Sequence, residues 1–514
     1  MSELPVGWTT VCLDDVYQLV RGITFPTADK HHEFVAGTVA CLRTTNVQKT
    51  TEWSDLWFVP EEHVKHQEQY VQEADVLIST ANSYELVGKV SWVGKPPMRA
   101  TLGAFISLLR ARHDVSPAFL FAQMSSDQVQ QAIRAMASTT TNISNVSGGK
   151  LKELKLALAP TAEQSRIVAK LEELLSDLDA GVAELKAAQA KLGQYRQSLL
   201  KAAVDGSLTA EWRRTHTPSE TGAQLLERIL VERRQRWEAK QLAKFQEQGK
   251  TPPNGWQNHY SHPVRPDTTG LPELPEGWVW ATVEQLTDFV TSGSRGWAEY
   301  YSERGAVFIR SQNINTDKLC LDDVAFVDPP RGSEGARTKV QQSDLLLTIT
   351  GANVGKVALV DVELEEAYVS QHVALLRPIE SSLSSFLHMY LIAKAGGRAQ
   401  LDKAAYGAGK PGLNLSQVGS VSVPLPPPLE MAVLLLEMAS GLDATEAQLA
   451  AVHTAQATVG AQRKNILKAA FSGQLVPQDP NDEPASVLLE RIRAERAAQG
   501  TKGVKRGRKA KIVP

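Results

Sequence analysis

Two long stretches of the chain carry apolar residues about one heptad apart, with mostly polar positions between them. In the first stretch the apolar positions are Leu171, Leu178, Val182, Leu185, Leu192 and Leu199. In the second stretch they are Met438, Leu442, Leu449, Val452, Val459 and Ile466. A seam with this spacing predicts long helices that pair along a narrow apolar stripe. Gln189 and Thr445 place polar side chains within the two runs, and we expect them to weaken or interrupt the seam.

Each predicted helix has a possible partner in the other one. A helix packed only on its own domain would also explain an apolar stripe, but the stripe is narrow and both stretches carry it, which favours pairing between them. A helix of about 40 residues is a rod of roughly 60 Å. If the two rods lie antiparallel, they form a ruler suited to sites spaced by whole turns of B-DNA, ~34 Å each.

Ahead of each helix the apolar pattern changes to short β-prone segments separated by glycine and asparagine. Val39–Leu42 and Val76–Ile78 are of this kind in the first half, as are Val307–Ile309 and Leu345–Ile349 in the second. A helical pattern begins at Pro117, a residue that suits a first helical turn. The sequence therefore predicts an α+β class, with two globular domains that are each followed by a long helix.

The two halves of the chain are copies of one module. The blocks that recur in the same order are Leu4–Trp8 and Leu274–Trp278, Cys41–Val47 and Phe308–Ile314, Asp75–Ile78 and Asp344–Leu347, Val87–Val90 and Val354–Val357, Leu108–Arg110 and Leu375–Arg377, Leu199–Ala203 and Ile466–Ala470, and Leu225–Ile229 and Leu488–Ile492. The repeat is far longer than a solenoid unit, so we expect each copy to hold its own core.

The repeat and the composition of its connections predict the domain boundaries. We expect a first globular domain at 1–158, a first helical spacer at 159–240, a linker at 241–273, a second globular domain at 274–426, a second helical spacer at 427–495 and a basic, disordered tail at 496–514. The basic residues of the tail are Lys502, Lys505, Arg506, Arg508, Lys509 and Lys511. A solvated chain end explains them more simply than a dedicated DNA-binding arm.

Bulk composition is that of an ordinary globular protein and does not reveal a partner. The net charge of −2 neither indicates nor excludes nucleic acid, because a local basic face is enough to neutralise phosphates. Cys12, Cys41 and Cys320 are scattered and odd in number, which argues against a disulfide framework and fits a reducing cytoplasm. The sequence has no apolar run long enough to cross a bilayer, and its start does not have the pattern of a signal peptide.

Both copies place an arginine and an asparagine directly after a short strand, and polar loops at matching places before the long helix. Arginine and lysine read guanine or phosphate, and asparagine or glutamine reads adenine. The candidate DNA contacts are Arg43, Thr44, Asn46, Lys89, Asn142, Asn145, Arg310, Gln312, Asn313, Asn353, Lys356, Lys410 and Asn414. Two alternatives stay open: Arg43 and Arg310 could pair with a carboxylate in their own domain, and Asn142 or Asn414 could cap a helix.

No segment carries a complete catalytic, nucleotide-binding or metal-binding motif. Val327–Arg331 is similar to the Asp-Pro-Pro-aromatic loop of amino-methyltransferases, but Arg331 stands where an aromatic ring must stack on the target base. Gly351–Val357 is similar to a phosphate loop but is one residue short and ends on Val357 instead of a hydroxyl. The histidines show no ligand spacing. We therefore expect no catalytic residue, no metal and no cofactor in this chain.

The order of these features resembles the specificity subunits of Type I restriction–modification systems. Each half opens on Leu-Pro-x-Gly-Trp, and the first long helix follows Pro160–Gln164, with Glu163 and Gln164 before an apolar run. Leu200–Thr209 and the matching segment near Lys468 are similar to the end of the helix in that family. The second copy departs from the pattern at Met431, where the glutamine would stand.

The resemblance implies a DNA-reading subunit that does no chemistry itself. Its two target-recognition domains would read a split, asymmetric site on double-stranded DNA. Two modification subunits would bring S-adenosylmethionine and methylate adenine, and restriction subunits, two as well, would bring ATP-driven translocation and magnesium-dependent cleavage. A recognition subunit of a fused methyltransferase–nuclease system would look the same in sequence. A coiled-coil adaptor without a DNA role is the alternative from another class.

Overall fold

A computed structural model describes residues 4–112, 114–140, 143–293, 296–329, 338–405 and 412–504. The chain divides into two compact units. Unit 1 consists of residues 1–186 and 453–514, and unit 2 consists of residues 187–452. The boundary does not fall between the two sequence copies. Each copy has a core cluster made of its own residues, as expected, and a second cluster in each unit also includes residues of the other copy.

The elements of the first copy alternate between short strands and short helices before one long helix. They are β1 Thr9–Cys12, α1 Leu13–Val16, β2 Tyr17–Arg21, β3 Thr38–Leu42, β4 Trp57–Pro60, β5 Val76–Ser79, β6 Ala81–Asn82, β7 Val90–Trp92, β8 Ala100–Leu102, β9 Ile106–Ala111, α2 Pro117–Met124, α3 Asp127–Met136, β10 Ser138–Thr140, β11 Ile143–Asn145, α4 Gly148–Lys152, β12 Lys155–Leu158, α5 Thr161–Val204, α6 Ala210–Thr215 and α7 Gly222–Glu247.

The second copy has a similar order with the additional short strands β15 Tyr301–Ser302, β17 Ile314–Asn315 and β18 Lys318–Leu319. Its elements are β13 Val279–Thr282, α8 Val283–Leu286, β14 Thr287–Ser292, β15 Tyr301–Ser302, β16 Ala306–Ile309, β17 Ile314–Asn315, β18 Lys318–Leu319, β19 Ala325–Val327, β20 Leu345–Thr348, β21 Val357–Leu359, β22 Ala367–Val369, β23 Val373–Pro378, α9 Ser384–Ile392, α10 Gly397–Ala404, α11 Leu415–Gly419, β24 Ser422–Leu425, α12 Pro428–Phe471 and α13 Ala485–Val504. None of the helices within the described residues is long and apolar enough to cross a membrane.

Two small sheets form the scaffold of unit 1. One is an antiparallel sheet with strand order β2-β9-β5-β7, and the other has the order β4-β3-β8, with β3 and β8 parallel. Apolar side chains such as Leu77 and Leu108 fill the space between the sheets. Gly22 is needed because a Cβ there would collide with the carbonyl oxygen of Gly103 on the neighbouring sheet. The close approach joins the two sheets at the ends of their strands.

Unit 2 has the same plan. Its antiparallel sheet has the order β14-β23-β20-β21, and its second sheet has the order β15-β19-β16-β22, with β16 and β22 parallel. Gly293 repeats the role of Gly22, since a Cβ there would collide with the carbonyl oxygen of Val369. The mixed strand-and-helix composition and the duplicated scaffold confirm the predicted α+β class.

A buried ion pair recurs in the antiparallel sheet of each unit. Arg110 binds both carboxylate oxygens of Asp75 at 2.8 and 2.7 Å, and Arg377 binds both of Asp344 at the same two distances. Burial raises the pKa of Asp344, while Arg377 opposes that rise. These pairs explain why both copies have the Asp and Arg of the repeated blocks. Each pair joins two strands through two parallel hydrogen bonds, which an uncharged pair would not reproduce.

The long helices pair antiparallel inside each unit. In unit 1, Arg463 of α12 lies 3.1 Å from Asp179 of α5, and Arg166, earlier in α5, bonds to Asp482 beyond the end of α12 at 2.6 Å. In unit 2, Leu199 of α5 lies against Gly441 of α12. The predicted pairing between the two helices is thereby confirmed in each unit separately.

The predicted seam lies on the covered faces of these helices. Every seam position is buried or half-buried: Leu171, Leu178, Val182, Leu185, Leu192, Leu199, Met438, Leu442, Leu449, Val452, Val459 and Ile466. Thr445 was expected to interrupt the seam, but it does not. It is only 3% exposed, and its hydroxyl donates to the carbonyl oxygen of Gly441 at 2.8 Å, so a hydrogen bond within the helix removes the cost of burying it.

A helix that follows each long helix completes the core of a unit. Leu225 and Ile229 of α7 pack in the core of unit 2, and Leu488 and Ile492 of α13 pack in the core of unit 1. Both helices pass the boundaries expected from composition. Helix α7 runs to Glu247, into the predicted linker, and α13 runs to Val504, into the predicted disordered tail. The predicted tail begins with arginine, two alanines and glutamine, which are good helix formers, and residues 505–514 lie outside the described residues.

Candidate nucleic-acid interface

The strand ends of unit 1 bring several loops to one end of the unit, which we call the pole of unit 1. It contains residues 43–55, 80–89, 103–105 and 143–147. Because β3 and β8 are parallel, the loops that follow them meet, and the amide of Gly103 donates to the carbonyl oxygen of Leu42 at 2.9 Å. The amide of Thr80 donates to Phe105 O at 2.9 Å, and β11 pairs with β6. Loops held in this way by a rigid sheet are a common setting for recognition.

The pole of unit 2 is made in the same way, from residues 310–319, 349–356, 370–372 and 412–414. The amide of Ser370 donates to Ile309 O at 2.9 Å, which matches the contact between Gly103 and Leu42. The amide of Ile349 donates to His372 O at 2.9 Å, and that of Leu413 donates to Ile349 O at 2.8 Å. The structure thus brings together candidate residues that are far apart in the sequence.

Arg43 is engaged inside its own domain. Its guanidinium donates to the carbonyl oxygen of Asp55 from Nη2 at 2.9 Å and from Nε at 3.2 Å, and it also pairs with the Asp55 carboxylate. The guanidinium carbon lies 4.9 Å from the ring centre of Trp57. This is the internal-pair alternative that the sequence left open, while base reading by Arg43 stays a prediction.

Arg310 occupies the matching place with a looser set of contacts. Its Nη2 donates to the carbonyl oxygen of Asp323 at 3.1 Å and lies 3.8 Å from the carboxylate of the same residue. Its Nε is buried without a hydrogen-bond partner among the described residues. The side chain is 26% exposed, against 21% for Arg43, so both arginines are mostly covered by their own loops.

Asn46 and Asn313 hold these loops together, whereas their role as base readers stays a prediction. Asn46 is 1% exposed, and its amide donates to Ser54 O at 2.9 Å. Asn313 is 2% exposed, and its amide donates to Asp323 O at 2.7 Å. Each side-chain oxygen accepts from the amide of the preceding arginine, Arg43 or Arg310. To reach a base edge, each amide would have to give up these hydrogen bonds.

The other candidates of unit 1 lie at its pole with different degrees of exposure. Thr44 is half-buried at the start of a short turn of 3-10 helix. Lys89 is half-buried and donates to Gln48 Oε1 at 2.6 Å. Asn145 is exposed on β11. Asn142 lies outside the described residues.

In unit 2 the candidates divide between surface and structure. Gln312 is exposed, and Lys356 is half-buried. The amide of Asn353 donates to Ser311 O at 3.2 Å, which ties two loops of the pole together. Asn414 caps α11, since its side-chain oxygen accepts from the amide of Gln417 at 2.8 Å, as the capping alternative had it. Lys410 lies outside the described residues.

Sequence reasoning missed several residues that the fold exposes at or beside the poles. In unit 1 these are Arg21, Phe105 and Lys150, and in unit 2 they include His372. Phe105 is 65% exposed although its backbone is fixed on both sides. No local motif marks these residues. They become neighbours only through the pairing of strands that are distant in the sequence.

The repeated Leu-Pro-x-Gly-Trp motif anchors the start of each copy to the start of its long helix. Trp8 Nε1 donates to Glu163 at 2.9 Å, and Trp278 Nε1 donates to Glu430 at 2.9 Å. The two carboxylates have different surroundings. Glu430 also accepts from Arg213 at 2.7 Å, whereas one oxygen of Glu163 is buried without a partner among the described residues. Burial raises the pKa of Glu163, and the hydrogen bond from Trp8 opposes that rise.

The segment that is similar to a phosphate loop has a different structural context. Gly351–Val357 connects the antiparallel strands β20 and β21, and the amide of Val354 donates to Gly351 O at 3.2 Å. A phosphate loop instead joins a strand to a helix. Within the described residues, no three histidine, cysteine or acidic side chains lie close enough to hold a metal ion.

Comparison with known proteins connects this geometry with a family. The family model of the Type I restriction modification DNA specificity domain matches residues 5–186 and 333–454. The chain is 25% identical to the Type I restriction enzyme EcoKI specificity subunit of Escherichia coli (strain K12), over 98% of this chain and 99% of that one. It is 24% identical to the StySPI specificity subunit of Salmonella potsdam, with the same coverage of each chain.

The fold agrees with that assignment. A solved chain from a study of complex assembly and conformational transition of the type I R-M system superimposes with a TM-score of 0.64 at 18% identity, over 92% of this chain and 100% of that one. The family model covers more than half of this chain and includes segments of both copies. The chain therefore belongs to the Type I restriction–modification DNA specificity family, as the resemblance of its repeated motifs indicates.

Proposed function

We propose that this chain is the specificity subunit of a Type I restriction–modification system and that it reads a split, asymmetric DNA site with its two poles. The observation that carries the proposal is that the two units present the same scaffold with different exposed side chains. Phe105 of unit 1 and His372 of unit 2 occupy the same place, directly before the matching strands β9 and β23. Different side chains on equivalent scaffolds select different base sequences.

Lysine side chains at the poles can contact DNA phosphates despite the slightly negative whole chain. The pole of unit 1 carries Lys49 and Lys89, and that of unit 2 carries Lys318 and Lys356. Lys49 pairs with Asp179 of α5 at 2.5 Å, and Lys318 pairs with Glu446 of α12 at 3.2 Å. These pairs are exposed and weak, so a DNA phosphate can compete for either lysine.

Catalysis in this proposal belongs to partner subunits. Two modification subunits would carry S-adenosylmethionine and methylate adenine, and two restriction subunits would carry ATP and magnesium and cleave the DNA. The paired helices and the segments that follow them offer rigid surfaces for docking these partners. This chain would recognise the DNA sequence and hold no cofactor.

A binding experiment with matched DNA tests the proposal. The chain would be purified with its modification subunits, and its affinity would be measured for a duplex that contains the methylated site and for the same duplex with one half-sequence scrambled. We expect each mismatched base pair to make the binding free energy less favourable by about 1–3 kcal/mol. The pure chain, incubated with DNA, S-adenosylmethionine and magnesium, should neither methylate nor cleave. Equal affinity for all duplexes would contradict the proposal and favour an adaptor role.

A further inference from the structure

A polar cleft of about 410 Å³ lies beside the pole of unit 1. Its lining residues are Arg21, Thr80, Ala104, Ser107, Ser138, Asn145, Val146, Ser147, Gly148 and Lys150. The cleft combines two cationic side chains with hydroxyls and one amide, and none of its described lining residues is acidic. This composition is that of a site for an anion with several oxygen acceptors.

The two cations of the cleft are not neutralised within the described residues. The guanidinium of Arg21 has no carboxylate or hydrogen-bond partner there, and its Nη2 lies over Gly148, where an added Cβ would approach to 3.1 Å. Lys150 Nζ donates to Met136 O at 2.8 Å and lies 3.4 Å from the Ser138 hydroxyl, so its partners are neutral. This distinguishes them from Arg43, whose charge is paired with Asp55.

The cleft adjoins the exposed residues of the pole. Ala104, which lines it, directly precedes Phe105, and Asn145 lines it from the strand β11. The loop of Phe105 is held by the amide of Thr80 and by the amide of Ile106, which donates to Gly103 O at 3.0 Å. An anion in the cleft would therefore sit at a fixed place relative to the side chains that face solvent.

We propose that this cleft binds one phosphate of the DNA backbone and thereby sets the register of unit 1 on its half-site. The proposal rests on the proposed function, because it takes the ligand to be the DNA that the chain reads. Phosphate contacts of this kind fix orientation and carry no base preference of their own. Arg21 and Lys150 supply the charge, and the neighbouring hydroxyls supply donors for the phosphate oxygens.

Within the described residues, unit 2 does not repeat the two cations of the cleft. Strand pairing places Arg21 opposite Ser107 in unit 1 and Ser292 opposite Ala374 in unit 2, so Ser292 stands where Arg21 would be. Gln417 occupies the third position of α11, as Lys150 does in α4. Both cations are thus replaced by neutral residues. We therefore assign this phosphate contact to unit 1.

The dependence of DNA affinity on salt tests this proposal. The complex of the chain with its modification subunits would be titrated with a duplex that contains its site, at several salt concentrations, for wild type and Arg21→Ala. We expect Arg21→Ala to reduce the slope of log affinity against log salt by about one and to weaken matched and mismatched duplexes equally. Arg21→Gln provides a second variant that keeps a polar side chain.

Two control variants separate the cleft from general effects of charge. Lys95→Ala removes an exposed cation that lies shortly after the end of β7 and does not line the cleft. Ser292→Ala changes the position in unit 2 that matches Arg21. Both should keep the wild-type slope. An unchanged slope for both Arg21 variants, or a changed base preference in either, would overturn the phosphate cleft while leaving the proposed function intact. If wild type itself bound no DNA, the proposed function and the cleft would both be rejected.

Discussion

Two glutamates at equivalent positions differ in the free-energy cost of burying an ionised carboxylate. Glu163 and Glu430 both accept a hydrogen bond from a tryptophan, and both are 1% exposed. Glu430 is compensated by Arg213, whereas burial raises the pKa of Glu163. The ionised form of Glu163 is therefore disfavoured in the folded protein relative to the unfolded chain.

This difference predicts a pH dependence of stability. Because the pKa of Glu163 in the folded state lies above its ordinary value of 4.5, folded Glu163 keeps its proton where the unfolded chain has lost it. Its contribution to the free energy of unfolding should fall as pH rises from the pKa of the unfolded chain through the higher pKa of the folded state. Glu163→Gln should remove that part of the dependence, as measured by the midpoint of thermal unfolding at pH values from 4 to 7.

The matched variant Glu430→Gln should behave differently. It leaves Arg213 without its carboxylate, and breaking a buried pair costs about 3–5 kcal/mol. We expect a large loss of thermal stability at neutral pH for Glu430→Gln, and a small change or a gain for Glu163→Gln. Equal losses in the two variants would show that the two carboxylates are in equivalent environments, against the structure.

At the residue scale the sequence predicted positions better than roles. The arginine and asparagine after each short strand do lie at the poles, but Asn46 and Asn313 are buried in their loops. A single sequence cannot separate an asparagine that reads a base from one that satisfies backbone groups, because both need the same amide. Phe105 had no signal at all, since its exposure depends on strands that are distant in the sequence.

At the scale of elements, the helices are the feature that the sequence predicted most directly. Each seam position is covered in the structure, because the heptad pattern alone determines which face of a helix is apolar. The ends of α7 and α13 could not be predicted from composition. Whether a charged, alanine-rich segment is helical or disordered depends on the core that it packs against, and that core belongs to the other copy.

The paired helices predict that the gap between the two half-sites can be lengthened. An insertion of one heptad in α5 between Ala183 and Lys191, with a matching heptad in α12, preserves the phase of both seams. We expect the gap of unspecified bases to lengthen while both half-sequences stay the same. Sequencing the methylated adenines in a host that carries the variant would measure the gap. An unchanged gap would contradict a role of the helices in spacing.

As a control for that experiment, an insertion of two residues at the same places breaks the phase of the seam. It should lower the stability of the pairing and abolish methylation instead of moving the site, because two residues turn the apolar face by about half a turn. If both insertions gave the same gap, spacing would not depend on the seam.

At the scale of the whole molecule, the duplication was clear from the sequence, but the division into units was not. Seven matched blocks show that two copies exist. They cannot show that the helix at the end of one copy completes the core of the other, because the two copies of the helix carry the same apolar pattern. The unit boundaries within α5 and α12 emerge only from the packing.

If two units read two separate sequences, a selection from randomised DNA should recover both sequences. The complex of the chain with its modification subunits would select duplexes from a random pool, for wild type, Phe105→Ala and His372→Ala. We expect wild type to select two short, different sequences at a fixed separation, and each variant to relax one half-sequence only. Distant contacts without shared partners should act additively, so the double variant should relax both. A single continuous motif, or a change in both half-sequences from either single variant, would show that the two units do not read DNA independently.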